Sequence, residues 1–148
     1  MDFDPGIYLI TVVMMIAGCR EQQQVESPDT NKETALAMFD AFNKHDWQKM
    51  ADYYAEGADF LDPSLGKSFV KQSHKEIVDK YQGMQQMFPD IKDEVTSVHV
   101  DGEAVIVQFT SHGTMDGGTS FSLPIITVLT FDDGLITRDA TYYDLENE

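Results

Sequence analysis

Two carboxylates stand in or beside apolar runs, where a proton could be moved. Asp62 directly precedes Pro63 at the end of the short apolar run Ala58 to Asp62, and Asp139 lies in a run rich in Thr, Ile and Tyr. At a period of two, Asp139, Thr141 and Tyr143 share one face of a strand while Ile136 and Ala140 take the other. A carboxylate among apolar walls has its charged form disfavoured, which raises its pKa and makes it a better general base. Structural roles compete with this chemistry: Asp-Pro at a strand end can simply shape a turn, and Asp139 can bond a neighbouring helix.

Other chemistries find less support. His45, His74, His99 and His112 fall on different elements, with no i, i+4 pair and no carboxylate at metal-ligand spacing, so neither a metal nor a cofactor is expected. Nucleophile-elbow, phosphate-loop and dinucleotide motifs are absent from the sequence. The 148 residues carry 26 acidic against 10 basic side chains, a formal net charge of −16, which phosphate backbones would repel. Nucleic acid is therefore excluded as a partner. A single cysteine, Cys19, rules out an intramolecular disulfide.

The elements that must position these residues are legible from periodicity. Thr30 and Glu33 have capping-box spacing ahead of Leu36, Met38, Phe39 and Phe42, which predicts a first helix of about 14 residues. Asp46 can cap a shorter helix with Trp47, Met50, Ala51 and Tyr54 on one face and Gly57 at its end. Ser73 and Glu76 repeat the capping spacing before a third helix carrying Ile77, Tyr81, Met84, Met87 and Phe88 up to Pro89. The period then changes to two over Lys92 to Val100, Ala104 to Met115, Phe121 to Phe131 and Leu135 to Tyr143, with Gly-containing turns between. Three helices followed by consecutive hairpins form an α+β layer architecture.

Near the N-terminus, Ile7 to Gly18 is uncharged and too short to span a bilayer comfortably. Ile16-Ala17-Gly18-Cys19 resembles the lipobox of bacterial lipoproteins, in which the signal is cut before a cysteine whose sulfur becomes lipidated. The resemblance implies a signal peptide over residues 1–18, a polar tether over 19–31 and a domain over 32–148, anchored to the membrane of the cell envelope through Cys19. Asp2 and Asp4 occupy the place of the usual basic n-region.

Tyr54-Ala55 through Phe60-Leu61-Asp62-Pro63, Met87-Phe88-Pro89-Asp90, and Phe131-Asp132-Asp133-Gly134-Leu135-Ile136 through Tyr142-Tyr143-Asp144 resemble the nuclear transport factor 2-like superfamily, in particular its SnoaL-like branch. The resemblance implies a cone-shaped fold of three N-terminal helices packed on a curved antiparallel sheet, with a pocket on the concave face. It places Thr127, Asp139, Thr141 and Tyr143 inward beside Val105, Val107 and Phe109, with Gln108 and His112 on the convex face. Met38, Phe60, Phe109, Thr127, Thr141 and Tyr143 are thus expected to contact a ligand.

Asp62-Pro63 matches the proton-shuttling aspartate of ketosteroid isomerases, and Tyr54 and Tyr81 match pocket tyrosines that could donate to an oxyanion. Asp139 is the alternative acid or base. The isomerase oxyanion tyrosine falls at Met38, its sheet aspartate at Thr127, and the SnoaL-like histidine at Met115, so parts of both known sites are replaced. Three functions follow as expectations: a lipid-anchored protein binding a small apolar molecule; an isomerase, cyclase or dehydratase with Asp62 as base; and a homodimeric assembly module paired through the convex sheet face.

Overall fold

A computed structural model describes residues 28–144. Cys19 and the expected signal peptide lie outside the described residues. Helix α1 (Pro28–Asn43) begins earlier than the Thr30 capping pattern predicts, so the last residues assigned to the tether are helical. Proline suits such a start, because the first helical N–H has no partner within the helix. The helix buries Ala35, Met38, Phe39 and Phe42 at intervals of three and four, whereas Leu36 falls off this stripe and is exposed. The chain leaves α1 through His45, whose φ is 56°. Asp46 then caps the short α2 (Trp47–Ala51), its carboxylate accepting from the Lys49 N–H at 3.2 Å.

Tyr54 belongs to a strand rather than to α2. Strand β1 (Tyr54–Leu61) contains Gly57, which lies at φ 73° and therefore shapes a bulge instead of ending a helix. A three-residue strand β2 (Val70–Gln72), too short to leave a periodic signal, pairs with β1. Helix α3 (His74–Met87) starts with the expected capping box between Ser73 and Glu76. Strands β3 (Lys92–Asp101), β4 (Ala104–Thr114), β5 (Ser120–Asp132) and β6 (Leu135–Tyr142) agree with the alternating runs to within one residue at each end.

The order across the sheet is β2-β1-β6-β5-β4-β3. The expected antiparallel sheet is in fact mixed, because β1 and β6 run parallel. A bulge in β6 also reverses one expected facing. Leu129 pairs with Asp139, but Phe131 pairs with Ile136 after a register shift, so Ile136 faces the same side as Asp139 and is fully buried. Alternation alone could not show this, since one extra residue inverts the parity beyond it. The helices cover the concave face, where Val105, Val107, Phe109, Leu129, Phe131 and Ile136 join the α1 stripe in one core. Gln108 points outward, as expected.

Candidate functional site

The core does not fill the space between helices and sheet. A cavity of about 710 Å³ remains, walled by Phe39, Phe42, Met84, Phe88, Phe109 and other apolar side chains. Three buried or half-buried carboxylates reach it, from different parts of the sheet. Asp62 follows β1, Asp139 is on β6, and Asp93 is on β3 at the far edge.

Asp62 is not the isolated base that its neighbours in sequence suggest. Its Oδ2 accepts from Lys80 Nζ at 2.7 Å, and its Oδ1 accepts from the Ser64 N–H, the Ser64 hydroxyl and the Tyr143 hydroxyl at 2.7, 2.6 and 2.8 Å. Burial alone would raise its pKa. The Lys80 ammonium and the Ser64 donors outweigh burial and hold the carboxyl below its ordinary value, so the expected raised pKa is corrected. Tyr143 shows the reciprocal effect, since burial and the adjacent Asp62 push its phenol up to about 12.

Asp139 is held by hydroxyls alone. Tyr54 donates to Oδ2 at 2.8 Å, while Thr127 and Thr141 donate to Oδ1 at 2.7 and 2.8 Å. Thr127 stands opposite Thr141 in the β5–β6 register, and Tyr54 stands beside Ile136 across the parallel β1–β6 pair. The fold thus creates this cluster from residues up to 85 positions apart. Burial raises the Asp139 pKa despite the three donors, and burial together with Asp139 pushes the Tyr54 phenol well up. The Tyr54 hydroxyl also lies 3.9 Å from Met38 Sδ.

Tyr81 lines the cavity and makes no hydrogen bond through its hydroxyl among the described residues. Its ring stacks on Trp47 at 5.8 Å and meets the edge of Phe42 at 5.6 Å. Burial raises its pKa well above normal, followed by the influence of Asp139, Asp62 and Asp93. Tyr81 is therefore within electrostatic reach of all three carboxylates.

Met38, Phe109, Thr127, Thr141 and Tyr143, expected to contact a ligand, line the cavity. Phe60 does not, because it is packed behind Tyr54 with ring centroids 5.0 Å apart. Among the lining residues that escape the sequence reading are Lys80 and Asp93. Lys80 stands one position before Tyr81, three beyond Ile77 and four before Met84, on the flank of the apolar stripe of α3. Asp93 shares strand parity with Val95, which packs against the core, so its inward direction was available from alternation.

Asp93 is 7 % exposed, and its Oδ1 has no partner among the described residues. Burial, opposed by a bond to Ser111 on the facing strand β4, pushes its carboxyl up to about 7. The main chain at Asp93 is fixed from α1: Asn43 accepts from its N–H and donates to its carbonyl, both at 2.8 Å. The histidines of this region serve the frame. His45 bonds the Ile91 carbonyl at 2.8 Å and Gln85 at 2.9 Å, and Gln85 accepts from the Trp47 indole.

The family model described as "SnoaL-like domain" matches residues 35–139. The chain belongs to this family. Among solved structures, this SnoaL-like domain is similar to a candidate SnoaL-like polyketide cyclase from Jannaschia sp. CCS1. The identity is 24 %, covering 82 % of this chain and 92 % of the other, with a TM-score of 0.68. A candidate hydroxylase, AclR, from Streptomyces galilaeus is 20 % identical over 81 % of this chain and 92 % of the other, with a TM-score of 0.69. A protein with a ketosteroid isomerase-like fold from Catenulispora acidiphila, in complex with trimethylamine, is 21 % identical over 76 % of this chain and 86 % of the other, with a TM-score of 0.68. These likenesses establish the fold of the SnoaL-like domain. No curated protein matches its sequence.

Proposed function

We propose that this SnoaL-like domain binds a small, largely apolar molecule between its helices and sheet, and that a lipid on Cys19 holds it at the cell envelope. The observation that carries the binding reading is the cavity itself. At about 710 Å³, with mostly apolar walls and a few convergent polar groups, it has the size and character of a small-molecule site. The complex of the Catenulispora relative with trimethylamine supports a small guest in this fold.

Native mass spectrometry of the purified chain, before and after denaturing extraction, tests the binding reading without a guess at the guest. A released apolar molecule, or stoichiometric uptake of the neutral dye Nile red, is the expected result. An empty protein that also refuses Nile red would overturn it. The anchor is tested separately, since Cys19→Ser should move the protein from the membrane fraction to the soluble one; unchanged membrane fractionation would refute lipidation there.

A second reading, proton transfer on the bound molecule, is favoured by one observation. The environments push the carboxylates apart, with Asp62 lowered and Asp93 and Asp139 raised, and such divergence is how acid and base roles are separated. Asp62, neutralised by Lys80, is the weakest base of the three.

A further inference from the structure

Two of the three cavity carboxylates are answered by protein groups, and the third is not. Asp62 has an ammonium, a main-chain N–H and two hydroxyls; Asp139 has three hydroxyls. Asp93 has the single hydroxyl of Ser111 near it and an Oδ1 without a partner among the described residues. Leaving a buried acceptor unsatisfied costs roughly 1–3 kcal/mol, so the arrangement calls for a structural reason or a ligand. The structural reason is lacking, because Asn43 fixes the residue through its main chain and leaves the carboxylate unused.

The groups around Asp93 supply no positive charge. Asn43 approaches from α1 and Ser111 from β4, while the Tyr54 and Tyr81 phenols, on β1 and α3, make no hydrogen bond to it among the described residues and carry no positive charge. His45 is held on the Ile91 carbonyl two residues earlier, and the neighbours Lys92 and Glu94 are exposed. Lys80 is bound to Asp62, next to β1, with β6, β5 and β4 between that strand and β3. Across the whole lining, Asp62, Asp93, Asp139 and Asp144 face one lysine, which disfavours an anionic guest. The aromatic rings of Phe42, Tyr81 and Phe109 also line the cavity.

Resting on the reading that the cavity takes a small apolar molecule, we infer that Asp93 binds the polar end of that molecule and that this end is a protonated amine. An ammonium group supplies the opposite charge and, once the carboxyl turns so that the closed-off Oδ1 faces the cavity that Asp93 lines, the missing donor. A hydroxyl supplies the donor alone, and a carboxylate adds repulsion. The raised pKa of Asp93 gives the pairing a pH dependence, because the carboxyl must ionise to receive the cation.

Three probes of equal shape separate the possibilities: 3-phenylpropylamine, 3-phenylpropanol and 3-phenylpropionate, titrated calorimetrically at pH 8. Trp47, the single tryptophan, stacks on the cavity residue Tyr81 and gives a parallel fluorescence signal. The amine is expected to bind roughly tenfold tighter than the alcohol, an advantage typical of one added charged contact, with the acid weakest. In Asp93→Asn the amine should fall to the affinity of the alcohol, while the alcohol changes little. Lowering the pH from 8 to 6 should shrink the advantage in the parent protein. An amine no tighter than the alcohol would overturn the inference and leave the pocket reading standing. So would an advantage that survives in Asp93→Asn or vanishes in Asp62→Asn instead. If a folded protein binds none of the three, this inference falls; the pocket reading falls with it only if Nile red is refused as well.

Discussion

An ammonium 2.7 Å from a carboxylate, with both side chains mostly withdrawn from water, keeps that carboxylate ionised into the acidic range, as Lys80 does for Asp62. Lys80→Met should therefore cost about 2 kcal/mol in urea unfolding at pH 7. This is less than for a fully isolated buried pair, because Ser64 and Tyr143 still donate to Asp62. A folded pKa below the unfolded one contributes stability above the unfolded value and loses it as pH falls through the folded value. The gap between parent and Lys80→Met should thus be full at neutral pH and narrow as the pH falls below the ordinary carboxylate range. For Asp139, replacement by Ala would deprive the buried Tyr54 and Thr127 hydroxyls and the half-buried Thr141 hydroxyl of their shared acceptor and should cost roughly 2–4 kcal/mol by thermal or urea unfolding. Asp62, Asp139, Tyr54 and Tyr81 were legible as cavity-facing residues from periodicity together with the family resemblance, although Tyr54 was assigned to the wrong element. Their partners were less so. Lys80 is a charge on a helix face, and without the turn at Ser64 and the position of Asp62 nothing distinguishes it from a solvated lysine.

At the scale of elements, local signals were strong where hydrogen bonding is local. The Ser73 capping box and the Asp46 cap were readable because each is completed three residues away, by Glu76 and by the main-chain N–H of Lys49. The long strands were readable because alternation runs for eight residues or more. The bulges in β1 and β6 were hidden, since each is a property of two paired strands. That is why Tyr54 looked helical and Ile136 looked outward. Gly113 on β4 supplies a test at this scale. A Cβ there would stand 2.6 Å from the Phe121 ring and 3.1 Å from Phe88 Cβ, both residues of the cavity wall. Gly113→Ala should force Phe121 aside, lowering stability by about 1–3 kcal/mol and changing Nile red uptake. Unchanged stability and uptake would mean that the Phe88–Phe121 wall yields freely.

At the scale of the whole molecule, a buried acid that resists ionisation makes the fold less stable as the solution becomes more basic. The Asp93 carboxyl is protonated in the folded protein up to about pH 7, whereas its unfolded counterpart ionises near 3.8. In that window the unfolded chain binds fewer protons, so this residue's contribution to stability declines from about pH 4 to pH 7 and is flat above. Asp93→Asn should remove the decline and leave the variant more stable than the parent at pH 8, as measured by urea unfolding across pH; equal curves would refute the assignment. The parallel pairing of β1 with β6 has a kinetic consequence as well. Strand β6 and the residue after it contribute Asp139, Thr141 and Tyr143, while the tyrosine that locks Asp139 stands at the beginning of β1. During synthesis the hairpins of β3, β4 and β5 can form early, but β1 must wait with an unpaired edge until β6 has emerged. Non-local pairings of this kind form slowly and leave the waiting edge open to wrong partners. Assembly of the cavity is therefore the step at which a nascent chain is most exposed to misfolding, and a chaperone that shields β1 would act at that moment.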